Sequence, residues 1–129
     1  MSFHGCKETL IMAKGLIIKP EWLDKIFDQG KCWEMRSTMT KHRGRTYLIA
    51  SGSGMITGEC NIVDAFPITE NDAMLNKKCH QVDDLSLLKK WRFAWVLKDV
   101  VKYKTPIPYF HPQGAVIWVN LPNDIVGQV

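Results

Sequence analysis

Three ionisable side chains, Lys31, Glu34 and Arg36, fall within six residues of the stretch Gly30-Lys31-Cys32-Trp33-Glu34-Met35-Arg36. If residues 33–37 form a strand, side chains alternate, so Trp33 and Met35 point one way and Glu34 and Arg36 the other. The first pair suits a core and the second a polar surface or cleft. Lys31, beside Gly30 at the turn into that strand, can swing to the same side as Glu34. Two cations and an anion so arranged suit a ligand with both phosphate and hydrogen-bonding groups, such as a nucleotide. The chemistry divides two ways. In binding, Arg36 with Arg43 or Arg45 contacts phosphates, Glu34 accepts from a base amine or a ribose hydroxyl, and an exposed aromatic stacks a base. In catalysis, Lys31 acts as base or nucleophile, Glu34 as acid/base partner or water orienter, and Arg36 stabilises an oxyanion. The plainer alternative is an ion pair on an outer strand face, which contributes only about 0–1 kcal/mol.

Charge distribution sharpens the binding reading. Between Lys31 and Arg45 the chain carries five cations (31, 36, 41, 43, 45) and one acid, Glu34. That segment alone matches the formal net charge of +4 of the whole chain, so the positive charge is local. Concentrated positive charge beside aromatics favours an acidic partner, phosphate backbones being the commonest. Lys41, Arg43 and Arg45 therefore join Arg36 as candidate nucleic-acid contacts. Tyr47 and Tyr109 are candidate stacking residues, because alternation consigns Trp33 to the core. A second basic group, Lys77, Lys78, Lys89, Lys90 and Arg92, is diluted by Asp83 and Asp84. It reads more readily as a solvated face.

The elements that position these residues are legible from periodicity. Gly15–Lys19 reads as a short buried strand ended by Pro20, which suits the first turn of a helix over 21–29. Trp22, Leu23, Ile26 and Phe27 form one apolar stripe on that helix, and Gly30 stops it. After the strand at 33–37, residues 37–44 form a polar connection. Strands follow over 45–51 and 55–64, joined by a turn at Gly52-Ser53-Gly54, where backbone amides near Ser51 offer a second, weaker phosphate contact. Thr69 with Asp72 three residues on predicts a helix start over about 70–79, and a second helix is expected over about 84–91. Residues 93–103 form a long, bulged strand, Pro106, Pro108 and Pro112 a connection, and 115–121 the last strand. About six strands with helices after the first and fourth predict a small mixed α+β barrel.

At 129 residues the chain is one domain, with 46% apolar and 23% charged residues as in ordinary globular proteins. The expected boundaries are an N-terminal extension (1–13), the domain (14–121) and a C-terminal tail (122–129). No run approaches a membrane span and no export h-region is evident, so the expectation is a cytoplasmic protein without a membrane partner. Cys6, Cys32, Cys60 and Cys79 lack metal-ligand spacing, and with His42, His80 and His111 scattered, no metal and no cofactor is expected. Cys32 beside Lys31 reads equally as a packed thiol or a nucleophile.

With its elements placed, the chain resembles the ASCH domain family, a module related to the PUA RNA-binding fold. The family's Gly-x-Lys-x-x-Glu-x-Arg run corresponds to Lys31, Glu34 and Arg36, with Gln29 in the glycine register and the glycine one place later at Gly30. The string Arg43-Gly44-Arg45-Thr46-Tyr47-Leu48-Ile49-Ala50-Ser51 follows at the family's distance. Phe93–Leu97 then leads through the proline-rich loop to Gly114 and Trp118. The resemblance implies a barrel with packed helices and recognition of RNA or a nucleotide in a cleft lined by Lys31, Glu34 and Arg36. Some family members hydrolyse acetylated cytidine nucleosides and others are described as ribonucleases, so a hydrolase is the alternative. The deacetylating relatives carry threonine in place of Glu34 and a further carboxylate in the helical insert. Glu70, Asp72 and Asp83 are what this chain offers there.

Overall fold

The computed structural model describes residues 12–125. The proposed boundaries at 13/14 and 121/122 lie near its ends, so most of the expected extension and half of the expected tail fall outside the described residues. Strand β1 (Met12–Ile18) runs into helix α1 (Pro20–Asp28). Pro20 occupies the first turn, where its missing N–H costs nothing. Leu23 and Ile26 are buried and Trp22 and Phe27 half-buried, the stripe that periodicity predicts. Gly30, at φ +76°, turns the chain into β2 (Trp33–Arg36). Strands β3 (Gly44–Ala50) and β4 (Met55–Pro67) form a hairpin, followed by α2 (Glu70–Leu75), α3 (Lys77–His80), a 3-10 turn (Leu85–Lys89), β5 (Phe93–Pro108) and β6 (Trp118–Pro122).

The six strands make one mixed sheet in the order β2-β5-β4-β3-β1-β6, with β1 parallel to β3 and every other pair antiparallel. The architecture is α+β, as predicted, although the sheet stays open between β2 and β6. It is nonetheless strongly curled. On a flat sheet β2 and β1 would lie four strand spacings apart, about 19 Å. Yet Arg36 Nη2 on β2 donates to the Ile17 carbonyl on β1 at 2.9 Å. Within the curl, Trp95 of β5 stacks on Trp118 of β6 with ring centroids 5.6 Å apart.

The last strand, expected over 115–121, begins only at Trp118, and three larger local expectations change. The helix predicted over 70–79 breaks at Asn76, whose side-chain amide donates to the Asp72 carbonyl at 2.9 Å and helps end α2. Its start is as predicted: Asp72 N–H donates to Thr69 Oγ1 (3.0 Å) and Thr69 N–H to Asp72 Oδ2 (2.9 Å). The expected helix over 84–91 is the 3-10 turn, opened by the Asp84 side chain accepting from Ser86 N–H. Finally, β5 continues through Pro106 to Pro108. Lys102 pairs with Gly58 and Ile107 with Ile56, so residues 103–106 bulge opposite Thr57, and Pro106 sits where no ladder hydrogen bond is required.

Candidate functional site

The curl of the sheet brings the end of β1, the start of α1, β2, and the segments around Val82 and Trp91 round one cavity of about 230 Å³. Lys31, Glu34 and Arg36 all line it, with Ile17, Lys19, Trp22, Met35, Ser51, Val82, Trp91 and Val116. Alternation along β2 holds for Trp33 but not fully for Met35, which borders the cavity beside Glu34 and Arg36. Trp33 leaves the cavity and packs edge-on against Phe66, centroids 5.4 Å apart, while Met35 joins the buried cluster of Ile68, Val82 and Leu88.

Lys31 is 2% exposed. Its ammonium donates to the carbonyl of His80 and lies 5.0 Å from the centre of the Trp22 ring. Burial pushes its pKa down from the ordinary 10.5 to about 8, against the opposing pull of the Glu34 carboxylate. His80 is itself fully buried: Nε2 bonds the Ala73 carbonyl at 2.7 Å and Nδ1 accepts from Val82 N–H at 2.9 Å. A ring donating through Nε2 and accepting at Nδ1 is neutral, and burial pushes its pKa further down. His80 thus fixes the carbonyl that anchors Lys31.

Glu34 is 5% exposed; its Oε2 accepts from Arg36 Nε (3.0 Å) and lies 2.9 Å from Nη2 in the ion pair. Its Oε1 accepts no hydrogen bond from any described residue, yet no buried side-chain polar atom among them lacks a partner. Glu34 itself lines the cavity. Arg36 is braced on both sides, by Glu34 and the Ile17 carbonyl, with its guanidinium 5.5 Å from the Trp95 ring centre.

The remaining predicted residues divide. Ser51 lines the cavity, its N–H donating to the Ile18 carbonyl at 2.9 Å. Lys41 is exposed and outside the lining. Arg43 Nη1 braces its own loop, donating to the carbonyls of Thr40 (2.8 Å) and His42 (3.0 Å). Arg45 pairs with Glu59 at 2.9 Å and lies 5.1 Å from the ring centre of Tyr47. Tyr47 is 2% exposed, in the separate core cluster with Ile49, Ile56 and Val119. Tyr109, half-buried against that cluster, bonds His111 Nδ1 through its hydroxyl at 2.6 Å. Neither tyrosine lines the cavity. Instead the aromatic lining is Trp22 and Trp91, packed edge to face at 6.0 Å.

Trp22 carried a sequence signal only for core, as part of the α1 stripe. Lys19 and Trp91 carried none. Cys32 donates its backbone N–H to the Cys79 carbonyl (3.0 Å), and burial and the Cys79 thiol push its own thiol pKa up, away from a ready nucleophile. Glu34 is the single carboxylate among the described residues of the lining: Glu70 and Asp72 belong to the first turn of α2, and Asp83 pairs with Lys77 at 3.1 Å. Among the described residues no three metal-capable side chains cluster, and no helix is long and apolar enough to cross a membrane.

The architecture has solved counterparts. Over 90% of this chain it matches crystal structures of an ASCH protein from Zymomonas mobilis: the protein itself (TM-score 0.63, 14% identity, 92% of that chain) and two single-site mutants. The mutants give TM-scores of 0.68 and 0.69, each at 13% identity and covering 94% and 92% of their chains. At such identities the likeness is one of fold. No curated protein matches the chain. The ASCH domain model matches residues 16–107, from β1 to the end of β5 and including all three ionic residues of the cavity, and on that match the chain belongs to the ASCH domain family.

Proposed function

We propose that this protein binds RNA or a nucleotide in the cavity between β1, α1 and β2. The observation that carries this reading is convergence. Lys31 from a turn and Glu34 and Arg36 from a strand line one hollow that also has indole walls. Glu34 offers a carboxylate acceptor, Lys31 and Arg36 supply positive potential, and the indoles supply apolar surface for a base. The Glu34–Arg36 pair holds the carboxylate in place, which preorganises the acceptor before a ligand arrives. The test is calorimetric titration with short single-stranded RNA and nucleoside monophosphates at low salt. Glu34→Gln, of nearly the same shape, is expected to weaken binding at least tenfold with a melting temperature close to the parent's. Equal affinities reject the cavity as the binding site.

One observation favours a hydrolytic second reading on modified nucleosides or RNA. A lysine with pKa about 8 is free base in roughly a tenth of molecules at pH 7, far more than an ordinary lysine. Such a Lys31 can take a proton from water or a ribose hydroxyl, with Glu34 orienting it. In amide cleavage that water adds to the acetyl carbonyl, and the C–N bond breaks to give acetate and the base amine. Incubation with acetylcytidine and with short RNA, followed by chromatography, separates the readings. Product formed by the parent and lost in Lys31→Met supports hydrolysis. An intact substrate with measurable affinity supports binding alone.

A further inference from the structure

The cavity is graded in depth, and its chemistry changes with that depth. At the floor Lys31 and Glu34 are almost sealed from solvent. Trp22 and Trp91 are half-buried and form the wall above them, while Lys19 and Ser51 are exposed at the rim. The floor is selective in a way that its charge count hides. Lys31 is already engaged by the His80 carbonyl and the Trp22 ring, and Arg36 by Glu34 and the Ile17 carbonyl. Glu34 Oε1 accepts no hydrogen bond from any described residue.

A carboxylate only accepts, and the Lys31 ammonium keeps two N–H groups beyond the one given to the His80 carbonyl. A group reaching the floor is therefore matched by presenting both a donor and an acceptor. The edge of a nucleobase does so. A phosphate presents acceptors alone and would meet the Glu34 carboxylate head-on. The Lys19 side chain, by contrast, makes no hydrogen bond or ion pair with any described residue, and like Ser51 this lysine is an exposed residue of the lining. The volume, about 230 Å³, is below the roughly 300–1,000 Å³ of pockets that take drug-sized ligands, and so admits one ring system and not a stacked pair.

Building on the nucleotide reading, we infer that the cavity takes a single nucleobase, inserted base-first against Trp22 and Trp91 with its hydrogen-bonding edge toward Glu34, and leaves the phosphate outside at Lys19. The ligand class is a nucleoside monophosphate or one unstacked residue of a single-stranded RNA. Lys19, Trp22 and Trp91 become its specificity-determining contacts, and the basic residues at 41–45 play no part in holding it.

Calorimetry with nucleoside 5′-monophosphates, the corresponding nucleosides and ribose 5-phosphate tests this orientation. The monophosphate is expected to bind more tightly than its nucleoside, and ribose 5-phosphate not to compete. Lys19→Ala, an exposed change, should erase the advantage of the monophosphate while leaving the nucleoside's affinity unchanged. Trp91→Leu should weaken both by roughly five- to 150-fold, the range for loss of one base–aromatic contact, with Trp91→Phe restoring most of it. Melting curves verify that these variants are folded.

Ribose 5-phosphate binding as tightly as the nucleotide overturns the orientation, as does an undiminished phosphate advantage in Lys19→Ala. If nucleotides bind the parent and Glu34→Gln weakens them while the Lys19 and Trp91 variants match the parent, the orientation falls and the binding reading stands. If neither RNA nor any nucleotide binds the parent, both fall together.

Discussion

Burying Lys31 carries a stability cost whose size and sign can be read from pH. Its folded-state pKa of about 8 lies below the ordinary 10.5 of an unfolded chain. Below pH 8 both states hold the proton and the full cost of desolvating the ammonium is present. Between pH 8 and 10.5 the unfolded chain binds more protons than the folded one, so stability contributed by this group rises with pH. Linkage gives a gain of about 2.5 kcal/mol from pH 7 to pH 10 for a shift of this size. Other groups move oppositely. Burial pushes the Cys60 thiol up to about 12 and the Tyr103 hydroxyl upward, so the stability they contribute is lost as pH rises above their unfolded values. Those terms are common to parent and variant and cancel in the difference.

The assay is therefore urea unfolding of parent and Lys31→Met at pH 7, 8, 9 and 10. At pH 7 the variant loses a partner for the His80 carbonyl, about 1–3 kcal/mol, and is relieved of the buried charge, about 3 kcal/mol, so the two should be close. At pH 10 the parent should have gained about 2.5 kcal/mol on the variant. Parallel profiles across this range would refute the argument that burial has lowered the Lys31 pKa.

Two further substitutions test the scaffold that shapes the cavity. A Cβ at Gly58 would collide with the Val101 carbonyl and come within 2.6 Å of the Phe27 ring. Gly58→Ala should therefore cost about 1–3 kcal/mol in urea unfolding by forcing α1 off the sheet, and an unchanged midpoint would contradict that packing. Thr69→Ala removes the capping hydrogen bond to Asp72 N–H and should cost about 1 kcal/mol, measured the same way.

The passage from sequence to site was clear where a local rule acted alone. Pro20, the α1 stripe and Gly30 mark a helix and its ends, and alternation in β2 turns Trp33 away from the cavity that Glu34 and Arg36 line. It was opaque where long-range geometry decided. A count of cations over 31–45 cannot tell one side of a curled sheet from the other. Arg45 and Tyr47, two apart on β3, share a face set by Glu59 opposite Tyr47, and that face belongs to a different core cluster from the cavity. Trp22 satisfied the helix periodicity and so concealed its second surface, which faces the cavity. Trp91 and Lys19 reach the cavity only because the sheet curls and the 3-10 turn delivers the chain there. The prolines at 106 and 108 suggested a break in β5, because the bulge that relieves Pro106 of a ladder bond leaves no local mark.

The central claim, that a nucleotide occupies the hollow formed by Lys31, Glu34 and Arg36, is most directly tested by nuclear magnetic resonance of the five tryptophan indole N–H groups. During titration with a nucleoside monophosphate, the signals of Trp22 and Trp91 should move together and saturate at one dissociation constant. Trp33, turned away against Phe66, should hold its position. Shifts at Trp33 with Trp22 and Trp91 unmoved, or no shift at any indole up to millimolar nucleotide, would contradict the account.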